Sequence, residues 1–233
     1  MASLTPSSTA STSNLSTASI LQPSTKEPST TTPPSSSTDP TGFSFPPHYS
    51  FPPFFTLQPT LSTRQSQLSS WSTLLQSYCR HLHIFTLSLL DALETPLFYN
   101  RTLSRRLSLR DARAVVDYMC SEEGGHRAEW ILASQSNSSK KGSKPASDDE
   151  KTKLYIFWRR PEEWATVIED WVDGTGQRGT VLTLYELAES DVTKKEEFHG
   201  MEEELLRRCL GVCVKRGKAQ IFGAEGEMGV KFF

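Results

Sequence analysis

Apolar positions in the first half of the chain follow a helical period and then an extended one. They first recur at three- and four-residue steps, which predicts an amphipathic helix through Leu68, Trp71, Leu75, Tyr78 and Leu82. Ser62 and Gln65 have the spacing of a capping box and place the start of this helix. The later patterns predict a strand over 84–87, a helix capped by Ser88, a third helix capped by Ser108, and strands over 128–132 and 154–158.

The second half of the chain repeats this order of elements. Pro161 suits the first turn of a helix, and Thr183 with Glu186 forms a further capping box. The remaining patterns predict a helix through Met201, Leu205, Cys209, Val212 and Cys213, and a hairpin of strands over 219–222 and 228–232. Two three-helix units, each closed by a β-hairpin wing, predict an α+β fold, mainly α, of two tandem winged-helix domains.

Composition adds segments outside these two units. Residues 1–42 are almost wholly Ser, Thr and Pro, which predicts a disordered tail that buries too little apolar surface to offset its ordering entropy. Residues 134–153 are polar, without an apolar anchor, and predict a mobile insertion between two strands. We expect the two winged helices to occupy 60–158 and 159–233.

Residues 43–59, here called the Pro-aromatic segment, lie between the tail and the first winged helix. They contain two Pro-Pro-x-aromatic units. Proline fixes its own φ and biases the preceding residue to extended conformations. The sequence therefore predicts a stiff, polyproline-like arm that presents aromatic side chains at low entropic cost.

Charge and cysteine content narrow the class of protein. The 233 residues carry a net charge of −2 with a pI near 6.2, which argues against broad electrostatic binding to nucleic acid. The four cysteines are scattered and suit reduced thiols in a cytosolic protein. No apolar stretch approaches the roughly 20 residues that span a bilayer. We expect a cytoplasmic protein.

Several strings of residues resemble the family of small ESCRT-II subunits, the vacuolar protein sorting-associated protein 25 family. The most specific is Trp-Arg-Arg-Pro-Glu-Glu-Trp at 158–164. Further similar strings lie at 51–59, 184–187, 197–200 and 229–233. The resemblance runs in order from about Pro46 to the last residue, and it leaves the tail and the polar insertion without a counterpart.

The resemblance implies a non-enzymatic adaptor in a Y-shaped complex with the two larger ESCRT-II subunits, numbered 22 and 36. It implies that the second winged helix recruits the ESCRT-III subunit numbered 20, through residues that it does not specify, for sorting ubiquitinated cargo into multivesicular bodies. Contact with the endosomal membrane is then indirect. Docking on the larger subunits is carried over to Pro46, Pro47, Tyr49, Pro52, Pro53, Phe54 and Phe55, residue types that suit a rigid, aromatic anchor.

Two other functions stay open. Pro46-Pro47-His48-Tyr49 has the form of a WW-domain ligand. A winged-helix transcriptional regulator would bind DNA through its third helix, near which one basic cluster lies. The cluster could equally contact anionic lipid, and acidic residues share its segment, so we expect no nucleic-acid partner. It consists of Arg101, Arg105, Arg106, Arg110 and Arg113.

Residues with catalytic or metal-binding chemistry do not form a recognisable pattern. Cys79, His81 and His83 lack further ligands at the spacing of a tetrahedral site. Cys209 and Cys213 are one helical turn apart on an apolar face, which favours core packing. We therefore expect no metal, no cofactor and no catalytic residue.

Overall fold

The computed structural model describes residues 41–132, 151–223 and 228–233. Each half of the chain forms three helices and an antiparallel sheet, so the predicted α+β, mainly helical fold of two tandem winged helices is confirmed. The predicted tail falls outside the described residues except for 41 and 42, and the predicted insertion does so except for 151–153.

The first winged helix contains three helices, a three-stranded sheet and a short hairpin. Its elements are α1 (Leu61–Leu82), β1 (Thr86–Ser88), α2 (Leu89–Ala92), β2 (Tyr99–Asn100), β3 (Arg105–Arg106), α3 (Leu109–Cys120), β4 (Ala128–Ile131) and β5 (Lys153–Ile156). The sheet is antiparallel in the order β1-β5-β4, so β5 is its central strand.

Two local predictions for this unit were wrong. Helix α1 begins at Leu61 after an extended Thr60, so Ser62 lies inside the first turn and cannot act as the cap. Strand β5 ends at Ile156 and does not reach Trp158. The hairpin of β2 and β3 was not predicted, because strands of two residues are too short to display a period.

The predicted end of the polar insertion, at residue 153, was also wrong. Lys151 Nζ lies 2.9 Å from Asp117 Oδ1 on α3. The carbonyl of Thr152 accepts a hydrogen bond from the backbone N–H of Leu89 at 2.8 Å, and Lys153 pairs with Ser88 in the sheet. Residues 151–153 are thus held by the first winged helix, whereas 134–150 lie outside the described part of the chain.

The second winged helix has the same plan. Its elements are α4 (Pro161–Gly174), β6 (Val181–Thr183), α5 (Leu184–Glu189), α6 (Glu203–Lys215), β7 (Ala219–Phe222) and β8 (Gly229–Phe232), with the sheet in the order β6-β8-β7. Thr183 and Glu186 form the predicted capping box, with Glu186 N donating to Thr183 Oγ1 at 3.0 Å. Strand β6 was not predicted, since it too is very short.

Strand β5 belongs to both hydrophobic cores. Leu154 and Ile156 face the core of the first winged helix, whereas Tyr155 and the following Phe157 face the core of the second. Successive side chains of a strand point to opposite sides, so a single strand can serve two cores. The connection to α4 is formed by the four residues 157–160 alone, and the two winged helices therefore share packing across it.

Ion pairs add polar contacts between the two units. Glu197 of the second unit pairs with Arg159 at 2.7 Å and with Arg80 of α1. Burial raises the pKa of Glu197, but the hydrogen bonds from the two guanidinium groups outweigh burial and lower it. Arg208 of α6 reaches Glu129 of β4 at 2.8 Å. These pairs, all partly exposed, fix orientation more than they add stability.

Candidate protein-docking site

The Pro-aromatic segment folds into two 3₁₀ turns, Pro47–Ser50 and Pro52–Phe55, and does not form the predicted extended arm. The residues before the two turns, Pro46 and Phe51, each precede a proline and are extended as expected. Proline itself has the φ of a first helical position, so it can begin a turn as readily as it extends a polyproline helix. Burial of the aromatic side chains decides between the two.

The aromatic residues of the second turn pack on helix α1. Phe54 stacks on Trp71 with ring centroids 4.3 Å apart, and Phe55 meets the same indole edge-on at 5.7 Å. Both phenylalanines are buried, and the Trp71 side chain is fully enclosed. Trp71 Nε1 also donates to the carbonyl of Phe54 at 3.1 Å. The turn is therefore part of the core of the first winged helix.

A buried glutamine fixes the backbone of this turn. Gln67 Nε2 lies within hydrogen-bonding distance of three carbonyl oxygens, those of Pro53, Phe54 and Thr56, at 3.2, 2.8 and 3.0 Å. Gln67 Oε1 accepts from the backbone N–H of Gln58 at 3.1 Å. One side chain thus contacts four backbone groups of the turn and of the residues that follow it.

The first turn is held by Tyr49. Its ring stacks on Phe45 at 4.0 Å, and its hydroxyl donates to the carbonyl of Pro96. Asn100 Nδ2 donates to the carbonyl of Tyr49 at 2.9 Å, which joins the segment to strand β2. His48 packs edge-on against Phe54 at 4.7 Å, and burial lowers the pKa of its imidazole.

The seven residues expected to dock divide into two groups. Tyr49, Phe54 and Phe55 are buried in their own domain and support the surface from below, and Pro46 is half-buried. Exposed side chains form what we call the outer face, which consists of Pro47, Phe51, Pro52 and Pro53. Phe51 was not among the expected residues, yet 59% of it is exposed. No sequence signal separates Phe51 from Phe54, because Trp71 and Gln67 decide which ring turns inward.

The chain is similar to known subunits of the ESCRT-II complex. A family model for the ESCRT-II complex subunit matches residues 48–202. The zebrafish (Danio rerio) vacuolar protein-sorting-associated protein 25 is 42% identical over 175 residues, covering 75% of this chain and 90% of that protein. The human protein of the same name is 39% identical over the same length. The chain belongs to the Vps25 family of ESCRT-II subunits.

Solved structures of the Vps25 family agree in fold. A crystal structure of subunit VPS25 of the endosomal trafficking complex ESCRT-II matches with a TM-score of 0.65 at 30% identity, covering 81% of this chain and 98% of that one. A chain in a structure of the ESCRT-II endosomal trafficking complex matches with a TM-score of 0.66 at 32% identity. A third match comes from a crystal structure of the complex VPS22/VPS25/VPS36.

The WW-ligand hypothesis conflicts with the fold of this Vps25-family chain. Residues 47–50 form a 3₁₀ turn, whereas a WW domain binds a polyproline helix. Tyr49 is 4% exposed and bonded through its hydroxyl to Pro96. Binding by a WW domain would require the segment to leave the core.

The third helices of both units are engaged within the protein. Asp117 on α3 accepts hydrogen bonds from Trp130 Nε1 at 2.8 Å and from Lys151 at 2.9 Å, so strand β4 and the residues just before β5 are bonded to this helix. Arg208 on α6 binds Glu129 and lies over the ring of Tyr155. Family membership supports the ESCRT-II assignment and gives no support to a DNA-binding regulator.

Of the residues considered as ligands, Cys79, Cys209 and Cys213 are buried, whereas His81 and His83 are exposed. Burial raises the pKa of Cys79 to about 12, and His81 Nε2 lies 3.2 Å from the carbonyl of Thr41. Within 41–132, 151–223 and 228–233, no three His, Cys, Asp or Glu side chains gather as metal ligands. In the same ranges no helix has the length and apolar character to cross a membrane.

Proposed function

We propose that this chain is the small adaptor subunit of an ESCRT-II complex and works by binding alone, without catalysis. Its first winged helix docks on the larger subunits numbered 22 and 36 through the outer face of the Pro-aromatic segment. Its second winged helix receives the ESCRT-III subunit numbered 20. Recruitment to the endosomal membrane is indirect and follows from the larger subunits.

One observation carries the docking part of this proposal. The outer face is built on a rigid base, because the aromatic side chains beneath it are locked against Trp71 and its carbonyls are bonded to Gln67. Phe51 projects from that base with 59% of its surface exposed. A large exposed aromatic residue on a preorganised backbone loses little entropy on binding and is a typical hot spot.

The second winged helix offers separate apolar surface for a further partner. Large apolar side chains are exposed there at Val181, Tyr185, Val192, Val214, Phe222 and Phe233. Because β5 and the interdomain ion pairs couple the units, a partner on the second winged helix is held in a defined position relative to the outer face. Such an arrangement suits an adaptor that presents one complex to another.

The test is co-expression of the chain with the two larger subunits, comparing Phe51→Ser with Phe233→Ser. Phe233 is a matched control because 55% of it is exposed and it lies on the second winged helix. We expect Phe51→Ser to weaken assembly by about tenfold or more, as for a hot-spot residue, and Phe233→Ser to assemble like the wild type. Size exclusion with light scattering would report both. Equal assembly by the two variants would remove the outer face from the interface.

A second measurement tests the ESCRT-III part. Purified subunit 20 is titrated onto the assembled complex and onto the free chain. If subunit 20 still binds the Phe51→Ser variant, but not variants changed only in the second winged helix, the assignment of subunit 20 to the second winged helix is supported. Binding that requires the outer face would contradict it.

A further inference from the structure

We propose that Ser104, in the turn between β2 and β3, is a phosphorylation site for an arginine-directed protein kinase. In this reaction the hydroxyl oxygen of Ser104 bonds to the γ-phosphorus of ATP, and the bond from that phosphorus to the departing ADP breaks. The hydroxyl proton passes to a carboxylate base of the kinase. The modification requires only the free chain, ATP and the kinase, so it is independent of the proposed function.

Two tandem strings of residues carry the sequence signal. They are Arg-Thr-Leu-Ser at 101–104 and Arg-Arg-Leu-Ser at 105–108. Arginine-directed kinases recognise an arginine three residues before the acceptor, because carboxylates in their substrate groove pair with its guanidinium group. Among all arginines of the chain, only Arg101 and Arg105 have a serine or threonine at that distance. The sequence therefore offers two acceptors, Ser104 and Ser108.

Ser104 is the more accessible of the two acceptors. Its side chain is exposed, and so are those of Arg101 and Arg105 on either side. A kinase binds its acceptor segment in an extended form, so the turn has to open. Few bonds oppose this: Ser104 N donates to the carbonyl of Arg101 at 3.2 Å, and Leu103 N donates to Asn100 Oδ1 at 3.0 Å. Segments with few buried contacts and few hydrogen bonds open at low cost.

Backbone strain at Ser104 also favours opening. Its φ of 51° lies in the left-handed region, which disfavours L-residues other than glycine, asparagine and aspartate. The extended form that a kinase binds removes this strain. The relief offsets part of the contact that Leu103 loses with the core of the first winged helix. The acceptor is thus the strained residue of the turn.

Ser108 has the stronger arginine pattern, but it is held within the fold. Leu107 before it is fully buried and donates its N–H to the carbonyl of Phe98 at 3.0 Å. Ser108 Oγ accepts from the N–H of Asp111 at 3.1 Å as the cap of α3, and its carbonyl accepts from Ala112 at 2.8 Å. A kinase reaches Ser108 only if Leu107 leaves the core and the first turn of α3 unwinds. The fold consequently favours Ser104.

A phosphate on Ser104 changes the charge beside the outer face. Arg101 and Arg105 make no ion pair with any side chain that the structure describes. Phosphoserine carries about −2 charge at neutral pH and accepts paired hydrogen bonds from guanidinium groups. It therefore neutralises the positive charge of the turn. Asn100 Nδ2 donates to the carbonyl of Tyr49 at 2.9 Å, so this change occurs next to the first 3₁₀ turn, which forms part of the outer face.

The test is phosphorylation of the full-length chain by calcium/calmodulin-dependent protein kinase, which needs arginine only at the third position before the acceptor. Phosphate incorporation is followed for the wild type, Ser104→Ala and Ser108→Ala, and tandem mass spectrometry of chymotryptic peptides locates the phosphate. A synthetic peptide of residues 98–111 is the unfolded reference, in which both serines are free of the fold. Thermal melts verify that the variants are folded.

A matched pair of substitutions separates recognition from charge. Arg101→Gln removes the arginine recognised for Ser104, whereas Arg105→Gln removes the same charge from the same turn but lies after this acceptor. We expect Arg101→Gln to slow modification of Ser104 by about tenfold or more, as loss of a charge-assisted hydrogen bond does. Arg105→Gln should leave the rate within about twofold of the wild type. Equal slowing by the two substitutions would contradict recognition through Arg101.

We expect the peptide to be modified on both serines, and the folded chain to be modified on Ser104 about tenfold or more faster than on Ser108. Ser108→Ala should then behave like the wild type, and Ser104→Ala should lose the phosphate from this turn. Equal rates at the two serines of the folded chain, or a folded chain without phosphate on Ser104, would overturn the assignment. A peptide that the kinase leaves unmodified would overturn it as well, because the arginine pattern would then not be recognised.

Discussion

Replacing Gln67 by alanine should release the Pro-aromatic segment without opening a large cavity in the core. The side chain is 8% exposed and bonds to the turn through both its amide nitrogen and its oxygen. The amide NH₂ of Gln67 has two hydrogens to share among three carbonyls and its oxygen accepts one bond, so about three hydrogen bonds at about 1 kcal/mol net each are worth about 3 kcal/mol. Folding restricts the rotamers of glutamine but not of alanine, so the substitution offsets about 1 kcal/mol of this loss in stability. Removal of one buried methylene costs about 0.8 kcal/mol.

The sum predicts a loss of about 2–4 kcal/mol in the free energy of unfolding. The upper end is limited because the carbonyl of Phe54 keeps its bond from Trp71 Nε1. Chemical denaturation would measure the loss. Hydrogen exchange gives a local signal, since the amide of Gln58 donates to Gln67 Oε1 and should lose its protection in the variant.

Gln76→Ala is the matched control on the same helix. Among the residues that the structure describes, Gln76 bonds only to the carbonyl and hydroxyl of Ser72, one turn away, so we expect a change within about 0.5 kcal/mol. Gln67→Ala should also weaken assembly with the larger subunits, because the outer face loses its base. If both alanine variants unfold with the same free energy and Gln58 stays protected, the role assigned to Gln67 is wrong.

Three other predictions follow from burial. Trp164 is 1% exposed and contacts Phe85 of the first winged helix, so Trp164→Ala should cost about 3–5 kcal/mol, and an unchanged melting temperature would contradict this packing. Burial lowers the pKa of His48 below its ordinary 6.5, so the folded state resists protonation and stability falls as the pH drops below about 6.5. Denaturation at neutral pH and at about pH 5.5 should show a smaller fall for His48→Gln, and an equal fall would argue against it. Burial raises the pKa of Cys120 to about 11, yet its half-exposed thiol should react with iodoacetamide before buried Cys79, as mass spectrometry can record.

The sequence predicts the start of a helix correctly where the capping residue and its partner are close together in the chain. Ser88 and Ser108 cap α2 and α3 through their hydroxyls, each accepting from the N–H three residues on, and Thr183 does the same for α5. In these cases both partners of the cap lie within one turn of chain. The α+β class and the order of helices and wings followed from the same kind of signal.

The shape of the Pro-aromatic segment was not readable. Its proline pattern is compatible with a turn and with an extended arm, and the choice depends on Trp71 and Gln67, which are many residues away along the chain. The docking residues predicted from the resemblance consequently mixed the inner side chains with the outer ones. Phe51 could be recognised only once the inward positions of Phe54 and Phe55 were known.

The arginine cluster illustrates a different limit. Its residues were visible in sequence, but their neighbours were not, because β2 and β3 are only two residues long. Asn100, which links this hairpin to Tyr49, carries no pattern at all. The contact between two segments, and not the composition of either, determines what surface they form.

The position of strand β5 between the two cores affects how the chain unfolds and whether it can be divided into fragments. If the second unit unfolded, Tyr155 and the following Phe157 would be exposed on the first unit; if the first unfolded, these two side chains would be withdrawn from the core of the second. Loss of either unit thus leaves the other with a bare apolar strip. Calorimetry should therefore record one cooperative transition, and either half expressed alone should aggregate. Gene fragments cut at this strand would not yield independent modules.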